Sequence, residues 1–278
     1  MKLSVLIPTY NYDPSQLVSD LQKQLPEDAE IIVGDDSPPH TLGRAARRNA
    51  LAREAKGEWL LFIDADAQVR SETFIKDYFL PLREGWEGAV VCGGTGNLPS
   101  CPRPEARLRY DYEVKAEKRL ALSHRKAHPY AGFTTFNFLI QRDLFLSILF
   151  DETLKEYGHE DTLFGLELMK RGIPVLHIDN KLTHLGLEDA DEYLQKTETA
   201  LRTLAQMPFE QKQNVRVSSL AEKLNHCCLL SVVRCLFNVT KPLLRANLLG
   251  KHPSQLLFTF YKLGYYASVR SNHQNQKV

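Results

Sequence analysis

Three short apolar runs, residues 3–7, 30–34 and 59–63, alternate with two stretches of helical period, 15–25 and 42–56. The runs lack a polar face, as strands covered on both sides do, and the intervening stretches are long enough for crossover helices. A strand–helix–strand–helix–strand order predicts right-handed crossovers and a parallel sheet with helices on both faces. Pro8 stops the first run, and Gly57 is placed as the C-cap of the second helix. Each run ends in polar residues: Thr9-Tyr10-Asn11, Asp35-Asp36-Ser37 and Asp64-Ala65-Asp66. Strand tips of such a sheet share one edge, where open α/β sheets hold their ligands.

Downstream, the pattern predicts a helix over 71–80, a strand over 88–93 and a Gly- and Pro-rich loop over 94–106. A charged helix over 107–122, a substrate-facing loop over 124–135, a strand over 136–140 and a short helix over 143–150 come next. Gly158-His159-Glu160-Asp161 leads into a helix ending at Arg171, with Gly172 as C-cap, then a strand over 175–178 and Thr183-His184-Leu185-Gly186. Beyond about 190 only helical patterns remain. The chain is therefore expected to be α/β, a mostly parallel sheet flanked by helices over 1–190, with a helical C-terminal extension over 191–278.

Composition narrows the function. Lys plus Arg number 35 against 34 Asp plus Glu, which argues against nucleic acid as a nonspecific partner. Five cysteines, odd in number and without a Cys-x-x-Cys spacing, point away from a disulfide framework or a zinc site and toward a reducing compartment. The six residues from Leu3 to Pro8, ending in proline, cannot serve as a secretory signal core, and no uncharged apolar stretch reaches the ~18 residues a spanning helix needs. A cytoplasmic protein is expected.

Asp64 and Asp66 end a buried strand one residue apart. Hard oxygen donors of this kind suit Mg²⁺ or Mn²⁺, which take one or two carboxylates and complete their shell with substrate phosphates. A neutral imidazole at His184 could add a ligand beside Asp66. The plainer account is a pair of aspartates capping a turn.

The opening Leu3-Ser4-Val5-Leu6-Ile7-Pro8-Thr9-Tyr10-Asn11, the Asp35-Asp36-Ser37 turn, Arg48-Asn49, Asp64-Ala65-Asp66 and Gly158-His159-Glu160-Asp161 together resemble the ordered motifs of family 2 glycosyltransferases, over about residues 1–190. That resemblance implies a nucleotide-diphospho-sugar transferase fold of the glycosyltransferase A type, a divalent metal (Mn²⁺ or Mg²⁺), and inversion at the anomeric carbon. It implies a nucleotide-sugar donor, typically with uridine, a glycan or lipid-linked acceptor, and a place in polysaccharide biosynthesis. By the same resemblance Asp64 contacts ribose, Asp66 holds the metal and Asp36 bonds the base in a pocket lined by Pro8 and Tyr10. Arg48 is the basic residue best matched to the pattern, with Arg44 and Arg47 on the same helix as further partners for the diphosphate. Asp161 is the general base and Glu160 positions the acceptor; an N-cap and a helix-terminal charge are the simpler roles for the pair. The chain departs from the family at Ser37-Pro38-Pro39, where a glycine usually comes after the aspartates.

Trp86, Tyr130, Phe133, Phe136 and Asn137 are further candidates for an acceptor pocket, chiefly the loop from Tyr130 to Asn137, though core packing explains most of them equally well. Two competing functions stay open. Asp-x-Asp after an apolar strand also opens the site of haloacid dehalogenase-like phosphatases, although there it ends the first strand. A non-catalytic nucleotide- or glycan-binding module is the other. Residues 220–270 mix Leu, Phe and Tyr with spaced Lys and Arg, as amphipathic helices do in a membrane interface, here the inner face; packing on the catalytic part or dimer formation would explain the pattern equally.

Overall fold

The computed structural model describes residues 2–38, 41–154 and 156–275; Pro39 of the Ser37-Pro38-Pro39 turn lies outside them. The chain divides into two compact units. Met1–Leu98, Ala116–Lys155 and Glu160–Gly186 form the first, and Pro99–Lys115, Glu156–His159 and Leu187–Val278 the second.

The elements run in order: β1 (Leu3–Thr9), α1 (Ser15–Gln22), β2 (Glu30–Asp35), α2 (Arg44–Glu54), β3 (Trp59–Ile63), β4 (Ala67–Gln68), α3 (Phe74–Arg83), β5 (Val90–Cys92) and β6 (Thr95–Gly96). Then come α4 (Arg107–Arg119), α5 (Leu122–Ala127), β7 (Asn137–Gln141), α6 (Arg142–Ile148), α7 (Glu160–Lys170), β8 (Val175–His177) and β9 (Leu182–His184). The rest is helical: α8 (Ala190–Gln206), α9 (Phe209–Lys212), α10 (Arg216–His226), α11 (Leu230–Leu248) and α12 (Gln255–Asn275).

The first unit is built on a six-stranded sheet of order β2-β1-β3-β7-β5-β8. It is mostly parallel, as expected, but β7 runs against both its neighbours, β3 and β5. Alternation along the strands explains the unbroken apolar runs. Leu3, Val5 and Ile7 of β1 and Trp59, Leu61 and Ile63 of β3 face a core shared with Leu17 of α1 and Phe74 and Tyr78 of α3. Leu6, Leu60 and Phe62 face the opposite core, with Leu51 of α2, Phe145 of α6 and Phe164 of α7. Both faces are covered, so neither can be polar. A second, three-stranded sheet, β4-β9-β6, was not foreseen.

Two other expectations need correction. The helix before Gly57 ends at Glu54, and Gly57 is not its C-cap. A β-carbon on Gly57 would stand 2.5 Å from the Ser4 amide nitrogen, so glycine is required there for close approach to β1. Gly172, by contrast, takes φ +66° after α7 as a C-cap glycine does. Residues 124–135 are not one loop: α5 occupies their start, and Arg125 is buried. Its guanidinium donates to the carbonyls of Leu120 and Ile178 at 3.1 Å and faces His177 Nδ1 at 3.1 Å. Since guanidinium only donates, Nδ1 accepts and the Nε2–H donates to the Pro129 carbonyl at 2.8 Å.

That arrangement makes a pH prediction. Burial, opposed by the Pro129 carbonyl and aided by the Arg125 charge, lowers the His177 pKa from its ordinary value of 6.5. A histidine with a depressed folded pKa contributes stability that is whole above the unfolded value and lost as pH falls through the folded one. Urea unfolding should therefore show lower stability at pH 5.5 than at pH 7.5, with a smaller difference in His177→Gln.

In the second unit Leu108, Tyr193, Leu194, Phe237, Leu244, Phe258 and Tyr261 form the core. Arg109 lies over the Tyr193 ring at 4.6 Å and pairs with Glu113 at 2.5 Å. No single helix among the described residues is long and apolar enough to cross a membrane.

Candidate active site

The tips of β1, β2 and β3 do reach one edge of the first unit, and the small sheet fixes the segment after β3. Ala67 of β4 pairs with His184 of β9, and the Leu185 amide donates to the Asp66 carbonyl at 2.8 Å. These bonds bring His184 Nε2 to 3.0 Å from Asp66 Oδ2, and the ring meets Phe136 edge-on. Gly186 lies against the same carboxylate, where an added β-carbon would stand 2.0 Å from Oδ2. Burial raises the Asp66 pKa, but the His184 hydrogen bond and charge, with Arg44, outweigh it and hold the carboxyl below its ordinary value.

Arg48 is the hub of the site. It projects from α2, is 5% exposed, and donates from Nη2 to Asp64 Oδ1 at 2.5 Å. Burial opposes its charge, yet Asp64, Glu160 and Asp161 together hold the guanidinium above its ordinary pKa. The Asp-x-Asp after β3 and the Glu-Asp at the start of α7 therefore act on one cation. Asp64 is raised, first by burial and then by Asp66, with Arg48 pulling the other way. Arg48 Nε is buried with no hydrogen-bond partner among the described residues.

Glu160 and Asp161 occupy the first turn of α7, and Asp161 Oδ1 accepts from the Thr162 amide at 2.7 Å. Gly158 and His159, just ahead, have φ of +112° and +72°. For histidine the left-handed region is uncommon, and it redirects the chain immediately before the two acids.

The expected base pocket is looser. Pro8 pairs with Gly34 at the β1–β2 edge, and Tyr10 is 56% exposed. Asp36 is buried: its oxygens accept from the Leu42 amide at 2.6 Å and the Gly43 amide at 2.9 Å, and Arg47 Nε lies 3.5 Å away. It organises the approach to α2, whatever else it does.

Some expected groupings separate. Asn49 turns away from Arg48 and bonds both the amide and the carbonyl of Phe150 at 2.9 Å. Phe133 and Phe136 are buried in the core, and Asn137 accepts from the Gly94 amide at 3.0 Å, so these three serve packing rather than an open acceptor pocket. Trp86 and Tyr130 pack partly buried on the two cores. Tyr12 was missed. Burial and the Asp66 charge raise its pKa, which puts its phenol in the field of the site. Nothing in a Tyr just past the Thr9-Tyr10-Asn11 motif signals that.

Residues 37–149 match the model of the family described as glycosyl transferase family 2. This segment is similar to glycosyl transferase family 2, over less than half of the chain. It holds Arg48, Asp64 and Asp66, while Pro8, Tyr10, Asp36, Glu160, Asp161 and His184 flank it. Among solved structures the chain is similar to the mannosyltransferase PcManGT from Pyrobaculum calidifontis in complex with GDP-Man and Mn²⁺. The TM-score is 0.58 at 13% identity, covering 99% of this chain and 87% of that one. It is also similar to glucosyl-3-phosphoglycerate synthase from Mycobacterium tuberculosis in complex with Mn²⁺, UDP and phosphoglyceric acid. There the TM-score is 0.52 at 17% identity, covering 74% and 79%. Such identities speak to fold alone: a glycosyltransferase A-type α/β fold. No curated protein matches the chain. The family 2 match leaves the phosphatase alternative without support.

Proposed function

We propose that this protein is an inverting, metal-dependent glycosyltransferase. It would move a sugar from a nucleotide diphosphate sugar, with uridine the expected base, to a hydroxyl of a glycan or lipid-linked acceptor. Arg48 carries the proposal, because one buried guanidinium feels Asp64, Glu160 and Asp161 together and so gathers both acidic motifs of the family 2 pattern.

The donor set fits a divalent cation. Adjacent ligands of an octahedral ion at about 2.1 Å stand about 3 Å apart, and Asp66 Oδ2 and His184 Nε2 are 3.0 Å apart. Among the described residues no cluster of three or more His, Cys, Asp or Glu could hold a metal. A two-residue site suits an ion that takes its remaining ligands from phosphate oxygens and water. Bound there, Mn²⁺ or Mg²⁺ would neutralise charge on the departing diphosphate.

The chain's own residues supply the rest. Asp64, held by Arg48, presents a fixed carboxylate to the ribose hydroxyls. Tyr10, exposed beside Pro8, offers a ring face to the base, and Asp36 would share a carboxylate that also orders the approach to α2. Asp161 accepts the acceptor's proton as its oxygen bonds the anomeric carbon and the carbon–oxygen bond to the diphosphate breaks, which inverts the centre. Glu160 orients the acceptor.

Thermal shift with UDP-, GDP- and dTDP-sugars tests this. A ligand at about 100 times its Kd stabilises by about 2.7 kcal/mol, and at about 2–4 °C per kcal/mol Tm should rise about 5–10 °C with a UDP-sugar and Mn²⁺. Chelation should abolish most of that rise. Gly186→Ala should lose the Mn²⁺-dependent part while keeping its fold, because the new methyl must displace the Asp66 carboxylate. No shift with any nucleotide sugar would overturn the proposal.

A further inference from the structure

Charge is unevenly spread along this nearly neutral chain. Residues 223–278 hold eight Lys and Arg and no Asp or Glu, so the last acidic residue is Glu222. Within this span α11 has two apolar faces. One carries Leu230, Phe237, Leu244 and Leu248 and is buried in the second unit. The other carries Val232, Leu236, Val239 and Leu243, at the steps of four and three that keep residues on one side of a helix. All four are exposed, Val239 by 74% and Leu243 by 75%, and exposed Leu229 extends the stripe past its N-terminal end. Contiguous exposed apolar patches mark contact sites far more often than idle surface.

The segments flanking this helix carry exposed cations. Lys223 lies exposed before the helix and Lys251 after it. Arg245 is neutralised within the unit by Asp191 at 2.8 Å, and Arg270 by Glu222 at 3.0 Å. Lys241 rests over the Phe237 and Tyr265 rings. An uncovered aliphatic stripe with exposed lysines at its ends and no carboxylate in α11 or α12 complements an anionic, amphipathic surface. A second copy of the same face would instead bring two acid-free cationic segments together, at an electrostatic cost.

We propose that α11 lies in the interfacial plane of an anionic lipid bilayer, with Val232, Leu236, Val239 and Leu243 among the upper acyl chains and Lys223 and Lys251 on headgroup phosphates. The helix is about 28 Å long at 1.5 Å per residue. Among the described residues no single helix is long and apolar enough to span; α10 and α11, bent by 117° at their break, reach that length and composition only as a pair, and an interfacial helix needs no span.

Flotation of the purified full chain tests this, with phosphatidylcholine vesicles and with vesicles also containing phosphatidylglycerol. The chain should float with the anionic vesicles, about tenfold less with neutral ones, and less again at high salt. Val239→Glu with Leu243→Glu should lower anionic-vesicle binding at least about tenfold, with circular dichroism and Tm unchanged because both side chains are exposed. Lys223→Glu with Lys251→Glu should weaken binding and flatten its salt dependence. Absence of flotation with either vesicle overturns the proposal. So does unchanged flotation of the lysine pair, which decides the matter if the first variant fails to fold. Conversion of a dimer to a monomer by the first variant, with flotation unchanged, assigns the face to a second copy and overturns it too.

Discussion

Asp161→Asn is expected to slow sugar transfer by about 10²- to 10⁴-fold, the range in which a positioned general base contributes. Donor binding should survive. The asparagine oxygen can still accept from the Thr162 amide, the bond that Asp161 Oδ1 makes at 2.7 Å, so the first turn of α7 keeps its geometry. The variant loses proton affinity and one negative charge near Arg48, but neither Asp66 nor His184 is touched. Turnover measured as nucleotide diphosphate release, beside thermal shift with UDP-sugar and Mn²⁺, separates the outcomes. Full turnover would remove Asp161 as the base. Loss of both turnover and donor binding would give Asp161 a donor-side role. Retained binding without turnover also distinguishes an enzyme from a silent binding module, since the wild-type chain must then turn over.

Arg48→Met is expected to cost stability as well as activity. It strips the cation from a 2.5 Å contact and leaves Asp64, Glu160 and Asp161 without the charge that all three act on. Breaking a buried pair from one side costs about 3 kcal/mol or more, and at about 2–4 °C per kcal/mol Tm should fall about 6–12 °C. Asp64→Asn in the same chain should recover part of the loss, because it removes a carboxylate that has become uncompensated. A double-mutant cycle on Arg48 and Asp64, read by urea unfolding, should give a coupling above about 1 kcal/mol. Additive losses would reduce Arg48 to a packing residue.

How far these features could be read in advance depends on the mark each leaves in the sequence. A strand covered on both faces must be apolar throughout, so β1 and β3 stand out, and the polar residues ending them mark the ligand edge. Direction leaves no such mark. β7 is as apolar as its neighbours, and only pairing reveals that it runs the other way. Close approach is equally silent: a glycine after a helix reads as a cap, yet Gly57 is needed where it abuts Ser4. Arg125 satisfies its guanidinium with carbonyls and His177, and bonds to backbone carry no residue pattern. Phe133 and Phe136 read equally as sugar-facing or core aromatics, because a ring buried in a core and a ring lining a pocket look alike in a sequence. Pro99–Lys115 joins Leu187–Val278 in one unit although 71 residues lie between them, and no local composition announces that.

The Asp66–His184 contact spans 118 positions of sequence. On a ribosome adding about 5–20 residues per second, roughly 6–24 s pass between the synthesis of the carboxylate and that of the imidazole. Until β9 is made and closes on β4, the nascent chain carries Asp66 without its nitrogen partner. The pair proposed above as the cation's protein ligands is thus completed only near the end of translation of the first unit.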